Sequence, residues 1–242
     1  MSSIQPLFDL LLIDIETVPQ VEDNKQLSPE IKRLFFDKIS KTMPEMVDEE
    51  AAYKQRAGIM AEFGKVICIS TGFFYEDKEK GLCLRMKSIC CKDEVELLTE
   101  FLTLVDKFYK HKKKFQFAGH NIREFDIPFL CRRMVIHHLS LPPYLQLYGA
   151  KPWDINMVDT LQWWKFGDYK NYTSLHLLAN VLGVPSSKDD IDGSMVQDVY
   201  YKEKNLDRIV TYCQKDVVVV AQVILRFKNL PLIPIGNIDI AD

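Results

Sequence analysis

Residues 8–16 read Phe-Asp-Leu-Leu-Leu-Ile-Asp-Ile-Glu, a short apolar run with acids set into it. The run predicts a central strand over residues 7–15, because strands buried on both faces of a sheet read as near-continuous hydrophobic stretches. Thr17-Val18-Pro19 predicts its end, since proline has no N–H to give to a ladder. Side chains at i and i+2 of a strand share a face, so Asp14 and Glu16 project together while Ile13 and Ile15 point the other way. Two neighbouring carboxylates in an apolar strand repel each other and resist burial. A divalent cation relieves that conflict, and oxygen donors of this kind favour Mg²⁺ or Mn²⁺. A solvated strand end with two acids facing water is the alternative for this pair taken alone.

Outward from this strand, residues 22–62 are highly charged and contain Pro29 and Pro44, which predicts a helical insertion after the first strand. Residues 64–75 and 81–91 are rich in β-branched and aromatic side chains and predict two further strands. Residues 93–109 carry apolar side chains at helical spacing, residues 115–119 read as a short strand, and residues 126–139 as the next helix. Helical patterns follow around 173–182, 194–202 and 205–227. The tail from Leu230, with two prolines, is expected to be irregular. This order predicts an α/β sheet flanked by helices, and residues 1–242 are expected to form a single domain.

Hydrophobic residues make up 47% of the 242, enough for a large core and too many for a disordered chain. The net charge of −3 is unusual for a binder of nucleic acid, but neutralising four carboxylates with two divalent cations would reverse its sign. Six cysteines without a CxxC pair predict buried free thiols in a reducing cytoplasm. The run at residues 10–13 is too short and lacks the basic lead of a targeting segment, and no stretch is long enough to cross a bilayer.

Two further acids complete a pattern. Asp126 lies at a strand-to-helix junction, two residues before Pro128; alone it reads as a helix N-cap. Tyr212 and Asp216 are i and i+4 on the helix over 205–227, so a phenol and a carboxylate share one face; alone they read as a surface pair.

Together the three elements resemble the DEDD superfamily of 3′→5′ exonucleases, in its tyrosine-type branch, which includes the proofreading domains of family B DNA polymerases. Asp14-Ile15-Glu16-Thr17, Asn121-x-x-x-Phe125-Asp126 and Tyr212-Cys213-x-Lys215-Asp216 match that family's motifs in order, and they span nearly the whole chain without polymerase motifs. The resemblance implies a ribonuclease H-like fold, with a mixed five-stranded sheet flanked by helices. It implies hydrolysis of phosphodiester bonds at the 3′ ends of single-stranded DNA or RNA, DNA favoured, to release nucleoside 5′-monophosphates. It further implies two divalent cations, Mg²⁺ or Mn²⁺, held by Asp14, Glu16, Asp126 and Asp216, with Tyr212 hydrogen-bonded to the attacking water. Thr17, Asn121 and Phe125 match positions that meet the terminal nucleotide in the family, and His120 either joins them or is structural. A nuclease-fold module that binds without cutting is the alternative from another class, and an endonuclease on the same fold is a third.

Some features have bland readings. The run His111-Lys112-Lys113-Lys114 reads as a solvated helix end. Trp163, Trp164, Tyr169 and Tyr172 read as core packing. Asp159 reads as a cap or local hydrogen-bond acceptor, and Asp189-Asp190-Ile191-Asp192-Gly193 as a turn.

Overall fold

In this computed structural model, the described residues are 5–40, 42, 48–112, 114–151, 154–168, 170, 172–185 and 190–241. Pro44, Lys113, Tyr169 and Asp189, singled out from the sequence, lie outside them.

The opening run is the middle of a six-stranded mixed sheet. Strand β1 (Leu10–Pro19) is followed by helices α1 (Pro29–Ile39) and α2 (Glu49–Arg56), then strands β2 (Gly64–Asp77) and β3 (Gly81–Ile89). Helix α3 (Glu94–His111), strand β4 (Gln116–Gly119), helix α4 (Asp126–Ile136), the two-residue strand β5 (Val158–Asp159) and helix α5 (Thr160–Lys165) come next. The chain continues through α6 (Leu175–Val181), α7 (Val196–Asp198) running into a π-helical turn, α8 (Leu206–Phe227) and β6 (Ile238–Ala241). The strand order is β5-β4-β1-β2-β3-β6. Strand β1 pairs antiparallel with β2 and parallel with β4, while β3 pairs parallel with β6.

Both faces of β1 are covered, as its composition requires. Leu11, Ile13 and Ile15 pack against Leu97, Phe101 and Val105 of α3 and Phe129, Leu130 and Met134 of α4. Leu10 and Leu12 pack on the other face against Val217, Val220, Ala221 and Ile224 of α8. These four α8 residues recur at helical spacing, so one stripe of the helix lies along the strand. Side-chain caps fix several helix starts: Asp93 accepts from Glu96 N–H, Ser174 from Leu177 N–H and Asn205 from Arg208 N–H.

Four expectations are corrected. The sheet has six strands rather than five, because the tail supplies β6 at the edge instead of remaining irregular. Proline blocks a helix but not the approach to an edge strand, and the buried Gln222 amide grips the tail through Ile233, accepting from its N–H at 2.9 Å and donating to its carbonyl at 2.7 Å. Strand β1 covers Leu10–Pro19 rather than residues 7–15, ending at the proline as expected, with a bulge opposite Glu16/Thr17 that leaves Ile67 without a partner on β1. Tyr172 is not core: it is 68% exposed, whereas Trp163 and Trp164 do pack against Phe227. Of the six free cysteines, Cys68, Cys83 and Cys213 are buried but Cys90 is exposed.

A buried ion pair ties the insertion side to both helices of one face. Arg133 of α4, 3% exposed, bonds Glu94 of α3 through Nε at 2.9 Å and Nη2 at 2.6 Å, and donates Nη1 to the Ala61 carbonyl. Burial alone would raise the Glu94 carboxyl, but Arg133, the Val66 N–H and His137 hold it below its ordinary value. Arg133→Ala leaves that carboxylate buried without its main partner, at a cost of about 3–5 kcal/mol. Thermal denaturation should show a Tm lower by roughly 10 °C; an unchanged Tm would refute this role.

Candidate active site

The face of β1 that holds Leu10 and Leu12 continues as Asp14 and Glu16. There the apolar stripe of α8 gives way to Tyr212, Cys213 and Asp216. Helix and strand thus keep packing while their contact changes from aliphatic to polar. Asp126 enters from the opposite side, at the start of α4. Its Oδ1 accepts from the Ile15 N–H at 3.2 Å, which places this carboxyl between the two strand acids in sequence. It does not cap α4, where the N-cap position belongs to Phe125.

The acids perturb one another. Asp14 and Glu16 are both held well above the ordinary carboxylate range, first by burial. For Asp14 the charges of Glu16, Asp216 and Asp126 add to this, and for Glu16 those of Asp216, Cys68 and Asp126. Asp126 is pushed up to about 7, mainly by burial, although hydrogen bonds from its own N–H and that of Ile15 oppose the shift. Glu16 is 8% exposed and Asp126 4%. Mutual repulsion among buried acids is thus built into the site.

Cys213 adds a feature that motif spacing did not reveal. Its thiol donates toward Asp14, at 3.3 Å from Oδ2 and 3.4 Å from the main-chain oxygen. One ligand atom from each of Asp14, Glu16 and Cys213 lies within 4.8 Å of the others. Burial, then contact with Cys68, raises the Cys213 thiol. It therefore stays protonated and orients Asp14, leaving the oxygens as donors. That donor set fits a hard divalent cation.

Tyr212 hydrogen-bonds Asp216, and burial followed by the charges of Asp216, Glu16 and Asp14 raises its phenol far above the ordinary value. It remains a neutral donor. A cleft of about 200 Å³ beside it is lined by Asp14, His120, Tyr172, His176, Tyr212 and Asp216.

The turn before α4 is built by a residue read from the sequence as a local acceptor. Asp159, 1% exposed, caps α5 by accepting from Leu161 N–H, and also accepts from Asn121 N–H at 2.9 Å and Arg123 N–H at 3.1 Å. Asn121 adopts φ +63°, a left-handed conformation that asparagine tolerates better than most residues. Its Oδ1 is buried without a hydrogen-bond partner. Gly119 is needed because an added Cβ would meet Ile122 Cγ2 at 2.1 Å and the Ile13 carbonyl at 2.9 Å. Phe125 is half-buried, 5.6 Å from Phe129. Thr17 is half-buried beyond the bulge.

Both ring nitrogens of His120 have protein neighbours, Nδ1 at 2.9 Å from Thr160 Oγ1 and Nε2 at 2.9 Å from the Thr173 carbonyl. Burial lowers its pKa, so the ring is neutral. Thr173 offers only an acceptor, so Nε2–H donates to it and Nδ1 accepts from Thr160.

The sequence profile of the family described as "Predicted 3'-5' exonuclease related to the exonuclease domain of PolB" matches residues 59–232. That span holds Asp126, Tyr212 and Asp216, while Asp14 and Glu16 precede it. Among solved structures, the fold is similar to the family B DNA polymerase from the hyperthermophilic archaeon Pyrobaculum calidifontis, with a TM-score of 0.51 and 16% identity. The similarity covers 90% of this chain and 24% of the polymerase chain, so the chain spans about a quarter of that protein. A search of curated proteins returns no match. No helix among the described residues is long and apolar enough to cross a membrane.

Proposed function

Because the chain belongs to the family of predicted 3′–5′ exonucleases related to the exonuclease domain of PolB, we propose that it is a metal-dependent enzyme that removes nucleotides from the 3′ ends of single-stranded nucleic acid, DNA favoured, releasing nucleoside 5′-monophosphates. Residues 1–242 act as one exonuclease domain in this reading. The observation that carries it is the convergence of Asp14, Glu16, Asp126 and Asp216, from a strand, a strand-to-helix junction and a helix, close enough that the charges of the other three all act on Asp14.

Two divalent cations, Mg²⁺ or Mn²⁺, held by those four carboxylates would supply acidity to the attacking water and neutralise charge on the phosphoryl group. Every other contribution comes from the chain. Cys213 fixes the orientation of Asp14. Tyr212, a phenol whose ordinary pKa is about 10 and which burial raises further, donates a hydrogen bond that orients the water. Asn121 offers its unpartnered Oδ1 to the terminal nucleotide. Phe125 and Thr17 border the nucleotide from α4 and β1. Burial of the acids limits water around the reacting centre, which strengthens these interactions.

A 5′-labelled single strand should shorten progressively from its 3′ end in Mg²⁺ or Mn²⁺, and activity that survives chelation sinks the proposal. A circular single strand should resist, since it has no end; its cleavage would favour an endonuclease. Binding without shortening of either substrate would favour a non-catalytic module. Tyr212→Phe should retain a measurable remnant, reduced about 10²-fold in kcat, because proton positioning is one contribution among several. Unchanged kcat in single-turnover assays would remove Tyr212 from the mechanism.

A further inference from the structure

The large side chain that the cleft leaves in water is Tyr172. It is 68% exposed and lines the cleft with Asp14, Tyr212 and Asp216. It stands outside the three motifs. Aromatic surface costs free energy when exposed, and an exposed ring beside an acid cleft has no packing role there.

The main chain that presents this ring is held in place. Thr173, the next residue, is buried, and its carbonyl accepts from His120 Nε2 at 2.9 Å. His120 is in turn fixed by Thr160 at 2.9 Å, and Thr160 starts α5 under the cap of Asp159. Ser174 caps α6, whose Leu178 and Ala179 pack on Val219 and Val223 of α8. The segment after Tyr172 is thereby joined to the second motif through His120 and to the helix of the third motif through α6. With both ring nitrogens engaged in this way, His120 has no hydrogen bond left to give a ligand.

We propose that Tyr172 is the face on which the 3′-terminal base stacks, and that His120 is a positioning residue which sets that face by holding the Thr173 carbonyl. This rests on the exonuclease reading and adds a substrate-binding wall to it. Stacking accepts any base, because every base has a π-face, so the wall gives affinity for the 3′ end without sequence preference. Such a contact changes affinity by about 5- to 150-fold.

The test uses the whole protein and a single-stranded oligonucleotide with 2-aminopurine at its 3′ terminus. Binding is read by fluorescence in Ca²⁺, after stripping other divalent ions, and hydrolysis is read separately in Mn²⁺. Wild type and Tyr172→Phe should both change the probe's fluorescence. Tyr172→Ala should abolish that change and raise Kd and KM about 5- to 150-fold, with kcat within about threefold. His120→Ala should move Kd in the same direction, and His120→Gln, which retains a side-chain N–H, should restore part of it. Circular dichroism confirms that each variant is folded; the exposed Tyr172 variants remain informative if a His120 variant is not. A wild type that hydrolyses the oligonucleotide, with Tyr172→Ala leaving fluorescence and KM unchanged, overturns the stacking proposal alone. A wild type that neither binds nor hydrolyses it overturns the exonuclease reading and this wall with it.

Discussion

Asp14→Asn should reduce 3′-end hydrolysis more than about 10³-fold in Mg²⁺ or Mn²⁺. The substitution preserves shape and removes one charge from the residue at the meeting point of β1 and α8. Asp14 feels Glu16, Asp216 and Asp126 together, and the Cys213 thiol orients it. The same change should make the metal-free protein more resistant to heat, since it relieves repulsion among buried like charges. Activity and stability are thus expected to move in opposite directions. Single-turnover hydrolysis and a thermal melt of the same preparation check both; residual activity within tenfold of wild type would contradict the assignment.

The second large effect is thermal. Adding Mn²⁺ at pH 8 to about 100 times its Kd should contribute about 2.7 kcal/mol of stability, or a Tm higher by roughly 5–10 °C. Without metal, pH should act in its place. A carboxyl whose native pKa exceeds its unfolded value binds more protons in the native state between those values, so stability falls as pH rises through that window. For Asp126 the window runs from 3.8 to about 7, and Asp14 and Glu16 are shifted in the same direction. Scanning fluorimetry of the stripped protein should show Tm increasing as pH is lowered from 8 toward 5, with the Mn²⁺ increment shrinking in parallel. A Tm indifferent to Mn²⁺ at pH 8 would count against a metal site.

The parts of this molecule that are legible in sequence are those with a local period. Asp14 and Glu16 are two apart on a strand, Tyr212 and Asp216 four apart on a helix, and each spacing fixes a shared face before any fold is known. The helix over residues 205–227 corresponds closely to α8, because Asn205 announces its cap. Asp126 had no such period. Read locally it is a helix cap, and its partner, the Ile15 N–H, lies 111 residues away. Asp159 performs the capping that Asp126 does not, and its second task, holding the Asn121 turn, spans 38 residues. Cys213 read as an ordinary buried thiol because its contact with Asp14 crosses from helix to strand. Composition groups Tyr172 with Trp163 and Trp164, but the two tryptophans meet Phe227 of α8 whereas Tyr172 lines the cleft. Strand β6 is illegible in sequence for a similar reason: what holds the tail is the Gln222 side chain on α8, not a pattern within the tail.

The contact between Cys213 and Asp14 joins residues 199 apart, and the Ile15–Asp126 bond joins residues 111 apart. Closing loops of that length has a large entropic cost, and folds rich in such contacts fold slowly. During synthesis from the N-terminus, Asp14 and Glu16 are made long before α8 exists, and until α8 packs down the strand acids are two ordinary carboxylates in an unfinished sheet. If the four acids act as proposed, the site is complete only once the last long helix is in place. On the proposed reading, a chain truncated before Asp216 should therefore lack 3′-end hydrolysis, however much of the sheet it forms.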